Sequence, residues 1–89
     1  MSKLKYVKWD GTNLREVIDL IGLHPSAKKW TWEEYEQVVK NEGLKVFTRG
    51  IQIMAQIGDT IVKHRKGQYD VFPFVMWDAV YKATPELQH

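Results

Sequence analysis

The sequence contains no cysteine, and its positive and negative charges nearly balance. Without a thiol, the chain has no disulfide framework, no thiol nucleophile and no cysteine-ligated metal site. Thirteen Lys and Arg against eleven Asp and Glu leave a net charge of +2, well below the basic excess typical of nucleic-acid-binding proteins. No apolar run approaches the roughly 20 residues that cross a bilayer. These absences predict a cytoplasmic protein that makes no use of a membrane.

With 89 residues, of which 44% are hydrophobic, the chain has enough apolar content for one core. No internal repeat or linker divides the sequence, so residues 1–89 are predicted to form a single domain. A domain of this size buries only about 60–70% of its unfolded surface. We therefore expect a homo-oligomer, in which a second chain covers some of the remaining apolar area.

The first half of the chain alternates between turn signals and helical periodicity. Residues 4–9 alternate in period two and predict a strand. The spacing of Leu14, Val17, Ile18 and Ile21 predicts a helix over 14–21, and Asn13 with Glu16 resembles a capping box at its start. A second helix is predicted over 32–41, opened by a capping box of Thr31 and Glu34 and ended by Gly43.

The second half changes to strand periodicity. Short β-branched or aromatic runs over 44–48, 51–56, 60–64 and 68–72 are separated by glycine-containing turns and predict an antiparallel meander. Pro73 then opens a helix over 74–82 that is apolar on nearly every side. The prediction is an α+β fold: an antiparallel sheet or partly open barrel of about five strands, two helices in the first half of the chain and a C-terminal helix.

Several short motifs resemble a family of small phage and prophage proteins. The run Trp9-Asp10-Gly11-Thr12-Asn13 followed by Glu16 is similar to its opening W-x-G-x-N-x-x-E. Its later G-D-x-I-I, G-E/Q-Y/F and aromatic-x-x-x-Tyr segments correspond to Gly58 to Val62, Gly67 to Tyr69, and Trp77 with Tyr81. Most members of that family are of unknown function, so the resemblance implies a phage origin more than an activity.

Residues with catalytic or metal-binding spacing are scarce. The histidines at 24, 64 and 89 do not have the spacing that places two imidazoles on one metal ion. Neither serine lies at a strand-to-helix elbow, and the sequence has no glycine-rich phosphate-binding loop. Asp59 and Asp70 flank one predicted hairpin, without a spacing that identifies a carboxylate pair. We therefore expect no enzyme activity, no metal and no cofactor.

Two clusters combine cations with a predicted hairpin tip or with aromatic rings: residues 63–67 form the first, and residues 28–32, in which two lysines adjoin two tryptophans, form the second. Arg49, in the predicted turn at 48–50, is a further candidate for contact with an anion. Cations suit phosphate groups and flat rings suit bases, so these clusters are the predicted binding site for a small anionic, nucleotide-like ligand. Solvated lysines and helix-anchoring tryptophans are the structural alternative. The predicted ligand-binding residues are Trp30, Trp32, Arg49, Lys63, His64, Arg65 and Lys66.

Four further aromatic residues are predicted to lie in the core or in an interface: Trp9, Phe74, Trp77 and Tyr81. An apolar helix such as 74–82 is either enclosed by the core or covered by a second subunit.

Three functions are compatible with these features. The first is a phage-encoded, non-catalytic oligomer that sequesters a nucleotide signal of a host defence system. The second is an inhibitor that binds a host defence protein, of the anti-CRISPR or anti-restriction type. The third is weak nucleic-acid binding through residues 63–66, against which the near-neutral charge argues.

Overall fold

The computed structural model describes residues 4–22 and 27–87, which form three α-helices and five β-strands. Their bounds in chain order are β1 Lys5–Lys8, α1 Leu14–Ile21, α2 Trp32–Glu42, β2 Leu44–Thr48, β3 Ile51–Ala55, β4 Thr60–Arg65, β5 Gln68–Phe72 and α3 Phe74–Ala83, followed by a 3-10 turn at Pro85–Leu87. The predicted α+β class is confirmed, and each predicted helix and strand ends within one residue of its predicted bound. Among the described helices, none has both the length and the apolar content needed to cross a membrane.

Helix α1 begins without the capping box predicted for Asn13 and Glu16. The Asn13 side chain makes no capping hydrogen bond. Its Oδ1 accepts from the Asp10 N–H at 3.1 Å, and its Nδ2 donates to the Lys8 carbonyl at 2.7 Å. The Asp10 carboxylate in turn accepts from the N–H groups of Thr12 and Asn13. Asn13 is the N-cap residue and its Nδ2 donates to the Glu16 carboxylate at 2.8 Å, so the two predicted residues do meet. The bonds to backbone that define a capping box are absent, because the Asn13 Oδ1 is bound to the Asp10 N–H instead.

Helix α2 begins with the predicted capping box. The Thr31 hydroxyl accepts from the Glu34 N–H at 3.2 Å, and the Glu34 carboxylate accepts from the Thr31 N–H at 2.8 Å. At the other end, the Gly43 N–H donates to the Val39 carbonyl, and a φ of 94° at Gly43 turns the chain into β2. Local sequence alone therefore determines both ends of this helix.

The five strands are divided between two antiparallel sheets, one of order β1-β4-β5 and one of order β2-β3. The predicted meander is interrupted because β3 does not pair with β4. The Asp59 carboxylate accepts from the Gln56 N–H at 2.9 Å, which closes a local turn between these strands. That turn is then attached to β1, since the Asp59 carbonyl accepts from the Trp9 N–H and the Gly58 N–H donates to the Trp9 carbonyl.

The three-stranded sheet is covered on both faces. On one face Val7 and Ile61 join Val17 of α1, Trp9 and the inner residues of β2 in the main core. On the opposite face Tyr6 contacts α3, with its ring centroid 5.1 Å from that of Trp77. Consecutive buried positions at Thr60, Ile61 and Val62 follow from this arrangement, because the first half of β4 packs on both faces, whereas Lys63 to Arg65 extend beyond the packed part.

The Thr48 side chain joins the two sheets. Its hydroxyl accepts from the Tyr69 N–H at 2.7 Å and donates to the Tyr69 carbonyl at 3.1 Å, and Thr48 is only 2% exposed. A side chain at the end of β2 thereby satisfies the backbone of β5. Buried backbone groups without a partner are costly, so this contact determines how the two sheets meet.

Replacing Thr48 with valine tests this junction. Thr48→Val keeps the shape but leaves the Tyr69 N–H and carbonyl without their partner, so we expect a loss of about 2 kcal/mol or more in the free energy of unfolding, measured by urea denaturation. Thr48→Ser keeps the hydroxyl and loses one methyl group, which should cost about 1 kcal/mol. Equal stability of the valine variant and the wild type would contradict this role.

The turn before α1 predicts a dependence on pH. The Thr12 hydroxyl, followed by the Thr12 backbone N–H, lowers the pKa of Asp10 below its ordinary value of 3.8. A lowered pKa in the folded state stabilises the protein above pH 3.8, and this contribution is lost as the pH falls through the folded-state value. We expect Asp10→Ala to lower Tm at neutral pH, with a difference from wild type that narrows in acid. Thr12→Val removes the hydroxyl that lowers the pKa of Asp10, so its Tm difference from wild type should also narrow in acid. A Tm difference for Asp10→Ala that does not change with pH would contradict this role of Asp10.

Candidate functional site

Two hairpin turns lie together at one corner of the molecule. The Arg49 N–H, in the turn between β2 and β3, donates to the carbonyl of Gly67 in the turn between β4 and β5 at 3.0 Å. This contact brings four of the predicted ligand-binding residues to one place beside an aspartate. We call this set the basic corner: Arg49, His64, Arg65, Lys66 and Asp70.

Arg49 occupies an unusual backbone conformation. It has a φ of 51° and is followed by Gly50 with a φ of 80°, so both central residues of this two-residue hairpin lie in the left-handed region. Asparagine and glycine are the residues preferred there, and a side chain such as arginine costs about 1 kcal/mol or more. The turn itself therefore does not explain why arginine occupies this position.

The Asp70 carboxylate contacts one guanidinium and one imidazole. Its Oδ1 lies 3.3 Å from Nη1 of Arg49, and its Oδ2 contacts Nε2 of His64. The Arg49 side chain is half exposed, and those of His64 and Asp70 are about one-third exposed. The Arg49–Asp70 ion pair at this exposure contributes about 0–1 kcal/mol to stability. The main effect of the two Asp70 contacts is to orient a guanidinium and an imidazole that solvent can still reach.

The remaining cations of the hairpin extend this surface. The Nε of Arg65 donates to the Gln68 side chain at 2.7 Å, which holds the base of its guanidinium, and Lys66 at the turn is exposed. Lys63, half-buried on β4, lies opposite Lys5 of β1. Like charges at directly opposite positions are unfavourable. Lys5 lines a groove together with the carboxylates of Glu16 and Asp19, so the positive character of the basic corner rests on Arg49, Arg65 and Lys66.

The predicted tryptophans make their contacts elsewhere. The Trp32 ring lies 4.2 Å from the Arg15 guanidinium of α1 and 5.9 Å from the Tyr35 ring, and it packs against the core. Trp30 lies just before α2 and is 38% exposed. The contacts that hold Trp32 therefore do not involve the cations of the basic corner, and a ligand-binding role for either ring stays a prediction.

The four aromatic residues predicted for the core or an interface fall into different environments. Trp9 is buried in the main core at 5% exposure, whereas Phe74 is 66% exposed with Lys8 Nζ 4.7 Å from its ring centroid. Trp77 and Tyr81 are half-buried and pack against each other and Tyr6. A groove of about 590 Å³ runs between Tyr6 and the α3 residues Phe74 to Tyr81.

Sequence reasoning did not assign two residues that organise the basic corner. Asp70 was considered only as half of a carboxylate pair with Asp59, but Asp59 closes its own turn while Asp70 contacts Arg49 and His64. Tyr69 is buried, and its hydroxyl donates to the Ile21 carbonyl at 2.9 Å. The separation of 21 residues between Arg49 and Asp70 leaves no local signal that would identify the pair.

No family model matches the chain, and no curated protein or solved structure matches it either. The described residues contain no group of three or more His, Asp or Glu side chains that could hold a metal ion. His24 and His89 lie outside the described residues. The arguments for function therefore rest on the geometry of the site and on the motif resemblance.

Proposed function

We propose that the protein is a non-catalytic binding protein whose basic corner holds the phosphate groups of a small anionic ligand. The observation that carries the proposal is the convergence of Arg49 and His64 on Asp70 next to the exposed Lys66. A guanidinium presents five N–H donors in a planar fork that matches phosphate oxygens. The contact of Arg49 with Asp70 is made through one nitrogen of this fork, Nη1.

The backbone of Arg49 supports the same proposal. An arginine held in a conformation that favours asparagine costs stability without improving the turn. Such a cost is typical of a residue retained for binding. The ligand class is a nucleotide or another phosphate ester, and the resemblance to small phage proteins extends the proposal to sequestration of a nucleotide signal used in host defence.

The basic corner can be tested by a pair of matched double variants. Arg65→Ala with Lys66→Ala removes two positive charges from it, and Lys40→Ala with Lys82→Ala removes two from the exposed surfaces of α2 and α3. We expect the first pair to weaken pyrophosphate binding about ten-fold, because each exposed cation contributes about 1 kcal/mol or less. The second pair should leave the affinity nearly unchanged.

Binding is measured by adding pyrophosphate to the protein and following the NMR chemical shifts of the backbone amides. The amides whose shifts change most also locate the site. The largest shifts should fall at residues 48–50 and 63–70. Equal weakening by both double variants would indicate a nonspecific effect of net charge, and unchanged affinity in Arg65→Ala with Lys66→Ala would remove the hairpin from the site.

Arg49→Asn separates binding from stability. Asparagine suits the left-handed turn, so we expect a free energy of unfolding within about 0.5 kcal/mol of wild type, or above it. Pyrophosphate affinity should nevertheless fall, because the guanidinium is lost. A variant that binds pyrophosphate as tightly as the wild type would contradict a binding role for Arg49.

One observation favours a protein partner as a second candidate function. The first turn of α3 exposes Phe74, Val75 and Met76 at 66%, 86% and 51%. Exposed apolar clusters are typical of protein-binding surfaces. Val75→Lys should weaken the binding of a protein partner to this surface, because it places a charge among exposed apolar side chains. The affinity of the same variant for pyrophosphate should stay unchanged.

A further inference from the structure

We infer that the outer edge of β1 binds an extended segment of a partner protein as an added strand, and that this segment carries a cationic residue between two apolar ones. The inference does not depend on the basic corner, which lies at the hairpin of β4 and β5. Its basis is the row of backbone groups that an unpaired strand edge presents to another chain.

The register of β1 determines which of its backbone groups face outwards. The Trp9 N–H donates to the Asp59 carbonyl, so in this antiparallel pair the residues two and four positions before Trp9 also direct their backbone groups towards β4. Tyr6 and Lys8 therefore direct theirs away from the sheet. The bond from Asn13 Nδ2 to the Lys8 carbonyl at 2.7 Å agrees with this orientation.

The middle of this edge is open. Both ends are held, since the Leu4 N–H donates to the Glu86 carbonyl at 2.9 Å and the Lys8 carbonyl is bound by Asn13. Between them, no residue in the described part of the chain bonds the outward N–H or carbonyl of Tyr6. A backbone that is already extended and fixed at both ends loses little freedom when a strand is added to it.

Two grooves follow this edge, one on each face of the sheet, and Tyr6 lines both. On the α1 face, a groove of about 660 Å³ is lined by Lys5, Val7, Glu16, Asp19 and Leu20. On the opposite face lies the groove of about 590 Å³ beside the exposed Phe74 and Val75 of α3, where Lys8 extends over the Phe74 ring. Side chains of an added strand alternate between the faces, so they enter the two grooves in turn.

The charges of the grooves determine the chemistry of the segment. On the α1 face, Glu16 and Asp19 bring two carboxylates against the single cation of Lys5, and Asp19 has no hydrogen bond or ion pair within residues 4–22 and 27–87. The excess negative charge favours a lysine or arginine in this groove. On the α3 face, the Asp78 carboxylate already pairs with Lys82 at 3.1 Å, and the aromatic lining favours apolar residues on either side of the cation.

The experiment uses a synthetic heptapeptide in which one arginine lies between two valines, flanked by threonines and serines. Its affinity for the protein is measured from the NMR shifts of the backbone amides. A peptide with glutamate in place of the arginine should bind at least about five-fold more weakly, because its charge repels the carboxylates of the groove. Equal affinity of the two peptides, or no binding of the arginine peptide, would overturn the inference.

A pair of matched double variants tests the groove itself. Glu16→Gln with Asp19→Asn removes two negative charges and keeps the side-chain shapes, so the arginine peptide should bind about five-fold more weakly. Glu33→Gln with Glu42→Gln removes two from the exposed surface of α2 and should leave the affinity unchanged. Equal weakening by both double variants would indicate an effect of net charge and contradict binding in this groove.

Hydrogen exchange on the wild type locates the added strand. In the free protein the Tyr6 amide should exchange rapidly, whereas the Val7 amide, which faces β4, should be protected. Saturation with the arginine peptide should slow exchange at Tyr6 and leave β5 unchanged. Peptide binding without this gain of protection would overturn the inference. Protection of Tyr6 that rises with protein concentration in the absence of peptide would assign the edge to a second copy and overturn it as well.

Discussion

The rest of the structure depends on the contact between the Thr48 hydroxyl and the backbone of Tyr69. The hydroxyl bonds both backbone groups of Tyr69 and so attaches the end of one sheet to the edge of the other. Because Thr48 immediately precedes Arg49, the same contact places Arg49 beside the β4–β5 hairpin. There the Arg49 guanidinium contacts Asp70 and the Arg49 N–H donates to the Gly67 carbonyl. The buried junction contributes stability, and the exposed cations beside it form the basic corner. The two roles are carried by adjacent residues.

The surface of the protein contains two distinct kinds of feature. The basic corner is polar and ordered by ion pairs, whereas the first turn of α3 and the β3 edge expose large apolar side chains. The helix predicted to be either enclosed or covered has no buried residue along its length, and only half-buries its own Trp77 and Tyr81 against Tyr6. A small domain cannot bury all its apolar area. Its unburied part includes the first turn of α3 and the side chains at positions 51, 54 and 57.

Prediction from sequence succeeded where the determinants are local. The capping box of Thr31 and Glu34 and the glycine after α2 are confirmed, since each involves residues within one turn of the helix. It was wrong for the capping bonds of Asn13, whose Oδ1 accepts from the Asp10 N–H instead, and for the meander, where the turn between β3 and β4 is hydrogen-bonded to Trp9. The hydrogen bonds between Trp9 and that turn join segments about fifty residues apart in the chain. Hydrophobic periodicity describes single helices and strands, so it carries no information about a contact at that separation.

Composition and local pattern by themselves determined the α+β class, the order of helices and strands, and the positions of the cationic hairpins. Only the tertiary structure decided which cations meet, which apolar residues stay exposed and where one sheet ends and the next begins. The physical reason is that side-chain periodicity defines the faces of a strand but not its neighbours. Neighbours are selected by the burial and hydrogen bonding of the whole chain, and here the Thr48 hydroxyl and the adjacent Arg49 connect the two sheets.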